Sequence, residues 1–209
     1  MGDVKSVQLG DICRFIGGGT PSRKVDSYYI GHIPWATVKD IDSLVLCDTQ
    51  EKISEEAVEN SATNIIPKGT VLVVTRVGLG KVAITKTDIA INQDIKALIP
   101  DSRLDPGYLL WSMVAHAPKI VSMGKGSTVK GITLWDLANL PISLLPLPVL
   151  HRIVVIFYLA DTILYLRAEP LQYPLYFIPA LFVEMFGDTA TNSKGWEDGA
   201  LGEVIQGLE

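Results

Sequence analysis

The sequence predicts an α+β fold, with one mixed α/β domain over residues 1–146 and a helical arm over residues 147–188. Three observations predict it. Short β-branched runs and short helix signals share the first 146 residues without regular alternation, which disfavours a doubly wound sheet. Prolines 141, 146 and 148 then punctuate a change of composition. Beyond them the apolar residues take up a helical period.

The elements follow in order. Ser54 is a good N-cap, and Glu55 and Glu56 sit where a helix dipole favours negative charge, so a short helix is expected over Ser54–Asn60. The turn signal Pro67-Lys68-Gly69 introduces Val71–Thr75, a β-branched run that reads as a strand. Lys81–Thr85 and Asp94–Ile99 read as further strands. A second helix starts at Asp105, with Pro106 at its first position, and runs to about His116.

From Val149 to Ala168 the pattern is helical. Val149, Ile153, Ile156, Phe157, Ala160, Ile163 and Leu164 form one stripe, and Leu150, Val154, Val155, Leu159 and Leu166 cover the other side. A helix apolar nearly all round is buried on several sides or spans a membrane. Arg152, Asp161 and Arg167 interrupt the run, which favours a helix held between its own domain and a partner. Residues 171–186 continue apolar, but Pro170, Pro174 and Pro179 should bend or break a helix there. Leu201-Gly202-Glu203-Val204 echoes Leu9-Gly10-Asp11-Ile12 after 192 positions, so residues 189–209 read as the start of a second repeat.

Composition narrows the function. Of 209 residues, 48% are hydrophobic and 20% charged, an ordinary globular balance that argues against global disorder. The net charge is −5, yet residues 1–146 are neutral and the deficit lies entirely in residues 147–209. A neutral domain binds nucleic acid if its cations cluster on one face. Cys13 and Cys47 are too few for a disulfide framework, and the N-terminus lacks a secretory pattern, so the expectation is a reducing cytoplasm. The chain shows no phosphate-binding G-x-x-x-x-G-K-[ST] motif, no G-x-G-x-x-G fingerprint and no G-x-S-x-G elbow. His32, His116 and His151 are far apart, without metal-ligand spacing. A non-catalytic protein without metal or cofactor is expected.

What stands out is a set of loops that mix glycine, cations, small polar residues and aromatics. They carry Thr20, Ser22, Arg23 and Lys24; Lys39; Arg76 and Lys81; Asn92 and Gln93; and Lys125, Ser127 and Lys130. Lys and Arg supply an electrostatic term for a phosphate backbone, while Arg, Asn and Gln can read base edges with two hydrogen bonds. The plain alternative is solvated loops with ordinary surface charge. Tyr28, Tyr29 and above all Trp35 suit a core place, and Thr20 and Pro21 suit a turn.

The order of these segments resembles the specificity subunits of type I restriction–modification systems. The matching stretches are Leu9-Gly10-Asp11-Ile12, Gly18-Gly19-Thr20-Pro21-Ser22, Ile33-Pro34-Trp35, Ile53-Ser54-Glu55 and Ile66-Pro67-Lys68-Gly69-Thr70. They continue through Gly80-Lys81-Val82-Ala83-Ile84, Ile91-Asn92-Gln93, Leu140-Pro141-Ile142 and Pro146-Leu147-Pro148 to Phe182-Val183-Glu184-Met185-Phe186-Gly187-Asp188. The resemblance implies a target-recognition domain (1–146) that reads half of a split site in double-stranded DNA. It also implies a helical spacer (147–188) that docks a methylation subunit, which binds S-adenosylmethionine, and a restriction subunit. On the spacer, Ile153, Ile156, Phe157, Ile163, Leu164, Leu181 and Phe182 are the expected partner or dimer contacts. The chain departs from the family pattern at Arg152-Ile153, where a Glu-Gln pair is usual, and in its few spacer charges. Two other readings stay open: a self-dimerising half-subunit that reads a palindromic site, and a protein anchored to a membrane by residues 149–186.

Overall fold

The computed structural model describes residues 5–126, 129–168, 180–187, 191 and 193–195. Two compact units divide the chain, Met1–Phe157 and Tyr158–Glu209. The Pro170, Pro174 and Pro179 stretch and the Leu201–Val204 echo lie outside the described residues.

The first unit is built on three sheets. One pairs β1 (Lys5–Gln8) with β11 (Pro141–Leu144), antiparallel, tying the two ends of the unit together. The central sheet has five strands in the order β2 (Cys13–Gly17), β10 (Ile95–Pro100), β7 (Val71–Val74), β8 (Val82–Thr85), β4 (Val45–Leu46). The third has four strands in the order β5 (Glu51–Ile53), β3 (Ile33–Ala36), β9 (Ile89–Ile91), β6 (Asn64–Ile66). Only the β3–β9 and β4–β8 pairings are parallel. The fold is α+β, as the sequence predicts.

Two-residue alternation decides the layers. On β7, Val71 and Val73 enter the cluster that also holds Leu98, Leu109, Leu110, Met113 and Ile120. Leu72 and Val74 enter the opposite cluster, with Ile66, Ile89, Ile91, Ile95 and Ala97. All four residues of β7 are therefore buried, which explains its unbroken apolar run. The second cluster is the seam between the five- and four-stranded sheets. Ala90 points the other way from Ile89 and Ile91, into a third cluster with Ile33, Trp35, Ile53 and Ala57. Trp35 is a core residue, as expected, 2% exposed and donating its indole N–H to Gly19 O.

Local signals place the helices. Ser54 caps α1 (Glu55–Glu59) by accepting from Ala57 N, and Asp105 caps α2 (Pro106–Ser122) by accepting from Tyr108 N. The helix α2 outruns the predicted end near His116. Pro118 sits on an exposed side, and the buried stripe resumes at Ile120, so packing overrides the local break. A capping box between Thr133 and Asp136 starts α3 (Leu134–Ala138). Strands β1 to β6, β9 and β11 carry no strong sequence signal. Most are two to four residues long and are held by their sheet partners.

The last helix, α4 (Leu147–Ala168), matches the predicted span. Its first turns are fastened to the first unit. Leu150 is buried, His151 Nε2 lies 3.1 Å from Asp105 Oδ2, and the Phe157 ring lies 5.5 Å from that of Trp111. Later apolar residues are uncovered, with Ile156, Leu159 and Leu164 at 62, 58 and 68% exposure. Among the described residues, nothing buries this part of the helix on several sides. By length and composition alone, Leu147–Leu164 would also suffice to cross a membrane. Residues 180–186 are helical, with Leu181 and Phe182 exposed.

Candidate nucleic-acid interface

Hydrogen bonds join the loops singled out in the sequence into one connected rim. The Gly18–Lys24 loop meets the Asn92–Asp94 loop where Thr20 Oγ1 donates to Gln93 Oε1 at 2.6 Å. Asn92–Asp94 meets the β7–β8 loop through Thr75, whose N–H donates to Asp94 O at 2.8 Å, and through Arg76 Nη1, 3.7 Å from Asp94 Oδ1. Arg76 in turn is bridged to Gly131, which exchanges two 2.9 Å backbone bonds with Lys125. On the far side of the β7–β8 loop, Lys81 Nζ donates to Val38 O at 3.1 Å, bringing in the Lys39 loop. Five loops spread over more than a hundred residues thus become neighbours.

One close approach underlies this arrangement. A Cβ on Gly18 would lie 1.8 Å from Ile91 O, so only glycine lets the first loop run against β9. Gly19 N then donates to Ile91 O at 3.1 Å, and Thr20 follows directly opposite Gln93.

The predicted residues occupy different places along the rim. Lys24, Lys39, Lys81, Lys125 and Lys130 are exposed. Arg23 is exposed but held: its Nη2 lies 2.6 Å from Glu51 Oε2, and its guanidinium carbon sits 4.0 Å from the Tyr29 ring centre and 5.4 Å from that of Trp35. Ser22 is exposed, and its hydroxyl accepts from Lys24 N, shaping the turn. Arg76 leaves half of its side chain exposed beyond a loose contact with Asp94. Asn92 is buried, and its Oδ1 accepts from Asp94 N, so its carboxamide serves the loop and not the open surface. Ser127 lies outside the described residues.

Two residues of this rim were not singled out in the sequence. Asp94 is the acceptor that joins its own loop to the β7–β8 loop, through Thr75 and Arg76, a role no local pattern marks. Lys96, half-buried on β10, donates from Nζ to Gln93 O at 2.9 Å and supports the loop from below. Burial pushes its ammonium pKa down, Arg76 adds to that, and Asp94 opposes it. Cys13, the first residue of β2, is buried, and burial, with the Asp101 charge added, pushes its thiol up to about 12. Among the described residues no group of three or more His, Cys, Asp or Glu is placed to hold a metal.

Such a rim offers cationic side chains and hydrogen-bond donors to an extended anionic partner.

Residues 1–164 match the model of the type I restriction modification DNA specificity domain. The Type I restriction enzyme EcoR124I/EcoR124II specificity subunit of Escherichia coli is 32% identical over 169 residues, covering 78% of this chain and 42% of the relative. The Type I restriction enzyme MjaIX specificity subunit of Methanocaldococcus jannaschii is 34% identical over 142 residues, covering 64% of this chain and 32% of the relative. The chain therefore spans less than half the length of these curated relatives.

Solved structures share the fold. A chain of a type I R-M system, described in its complex assembly and conformational transition, superposes with a TM-score of 0.70 at 23% identity, covering 84% of this chain and 43% of that one. The HsdS subunit from Thermoanaerobacter tengcongensis gives 0.62 at 23% identity, covering 80% and 39%. With the family model spanning three quarters of its length, this chain belongs to the type I restriction–modification DNA specificity family.

Proposed function

We propose that the chain recognises a specific sequence in double-stranded DNA as part of a type I restriction–modification complex. The observation that carries this reading is the connected rim, in which Thr20–Gln93, Thr75–Asp94 and Arg76–Gly131–Lys125 contacts gather cationic loops from across the first unit. Phosphate contacts fix register, and base-edge contacts specify sequence. Exposed Lys39, Lys81, Lys125 and Lys130 suit phosphates. Arg76, with a flat fork of donors, suits a guanine edge, and Gln93 beside it suits a neighbouring base.

Residues 1–146 act as the target-recognition domain and residues 147–188 as the spacer and docking arm. The uncovered apolar residues of α4, Ile156, Phe157, Ile163 and Leu164, support docking by a protein partner. That partner is a methylation subunit carrying S-adenosylmethionine, with a restriction subunit joining for cleavage, and the complex works in the cytoplasm. Methyl transfer and cleavage belong to those subunits, and this chain is non-catalytic. The same uncovered face favours a second reading, in which two copies pair through α4 and read a palindromic site.

The test is selection from a randomised duplex pool by the chain with its methylation subunit, followed by affinity measurements across a salt series. Arg76→Ala should relax preference at one base pair and cost about 1–3 kcal/mol there. Lys125→Ala should weaken all sequences alike and lower the salt slope by about one. Unchanged specificity and affinity in both variants would refute this assignment of the rim.

A further inference from the structure

The β7–β8 hairpin ends in a feature that the rim does not use. Three residues of its tip have positive φ: Gly78 at 114°, Gly80 at 86° and Val77 at 50°. Glycine occupies that region freely. Valine, branched at Cβ, does not, and among the described residues Val77 alone of the non-glycines has positive φ. Strained backbone of this kind persists where a site needs the side chain it presents.

Val77 does nothing for the core. It is 55% exposed and belongs to none of the three buried clusters, whereas Leu79, two residues on, packs against the main one and anchors the loop. The strain instead holds an apolar side chain outward. There it lines an open cleft of about 280 Å³ with Leu79, Val121, Val129 and Lys130. Val121 and Val129 are also exposed, at 52% and 42%. Exposed Lys130 lines the same cleft, and exposed Arg76 precedes Val77 directly in the chain.

The charges select a polyanion, and the apolar patch selects an apolar feature on it. In the major groove of duplex DNA that feature is the C5-methyl of thymine. We propose that Val77, with Val129 beside it, is a specificity-determining residue that reads a thymine methyl group next to the base contacted by Arg76. This rests on the DNA-recognition reading above. The fold holds a β-branched residue where glycine would be more stable, and a contact with a methyl group gives that exchange a purpose.

The experiment uses the chain bound to its methylation subunit. The preferred site is first selected from a randomised duplex pool, and each preferred thymine is then replaced singly by deoxyuridine, which lacks only the methyl. At one position the unsubstituted protein should lose about three- to tenfold in affinity, the worth of one to two buried methyl contacts. Val77→Gly should show no such loss at that position, and Val77→Ala an intermediate one. Because glycine relaxes the backbone, Val77→Gly should also melt at a higher temperature, whereas a valine kept for packing would make it melt lower. A selected site without a preferred thymine, or a deoxyuridine penalty unchanged in Val77→Gly, overturns the proposal. So does a patch that instead proves to be covered by the methylation subunit, seen as loss of complex formation in Val77→Gly. Failure of the unsubstituted complex to select any sequence would refute DNA recognition itself, a result distinct from these.

Discussion

The first unit and the later turns of α4 handle apolar side chains in opposite ways. In the sandwich, Leu72, Val74, Ile91 and Leu98 are fully buried between sheets or under α2, and the polar loops lie outside. On α4 beyond Phe157, Leu159, Ile163, Leu164 and Leu166 stand more than half exposed. Both segments are rich in Leu, Ile and Val, so these residue types alone do not separate them. What separates them is partner surface. A strand in mid-sheet has two faces covered by its own chain, while the later turns of α4 have no such cover among the described residues. The first region buries its apolar residues within one chain, and the second leaves them uncovered among the described residues, the surface on which the docking proposed above rests.

The largest break in this contrast should come from Gly18→Ala. The new methyl would lie 1.8 Å from Ile91 O, against backbone that belongs to two sheets' worth of contacts. A cost of about 4 kcal/mol or more is expected, with loss of cooperative melting followed by circular dichroism. Retained melting at the original temperature would show that the loop takes another path.

A paired comparison sharpens it. Leu98→Ala, at a site with no exposure, should cost about 2–5 kcal/mol in denaturant unfolding. Leu164→Ala, 68% exposed, should change stability by less than about 0.5 kcal/mol and should instead weaken complex formation in a co-purification assay. Equal destabilisation by both would mean that α4 is packed within the chain.

The smallest effect concerns the thiols. Cys13 is buried, with its thiol pushed up to about 12, and Cys47 is exposed. At pH 8 one thiol should react with an alkylating reagent in the folded chain and both after unfolding, as counted by mass. The linkage has a definite sign. A thiol raised above its unfolded value contributes stability that is full below about pH 9 and falls as pH rises toward 12. Alkylation of both thiols at equal rates in the folded chain would contradict that burial.

Much of the fold could be read locally because its determinants are local. Ser54 and Asp105 as caps, the β-branched run at Val71 and the helical period from Val149 depend on neighbours a few residues away, and each stands where expected. The end of α2 did not, because Ile120 finds its pocket only in the folded domain and outweighs Pro118. The short strands around Trp35 and Ile53 were invisible for the same reason, since their stability comes from pairing across the sheet.

The rim divides in the same way. Residue types and loop order marked Thr20, Arg23, Arg76, Gln93 and Lys125 as a set, and the family resemblance gave them a common purpose. Sequence alone determined which side chains could meet a polyanion. It did not determine that Asp94 joins its loop to the β7–β8 loop, that Lys96 supports the Gln93 backbone from below, that Asn92 turns inward or that Val77 is held strained and exposed. The last three depend on the fold packed around short local segments, whereas Asp94 meets Thr75 and Arg76, residues far from it in the chain. Only the stacked sheets bring them within hydrogen-bonding distance, because backbone register across the sandwich, and not any local preference, sets where each loop emerges.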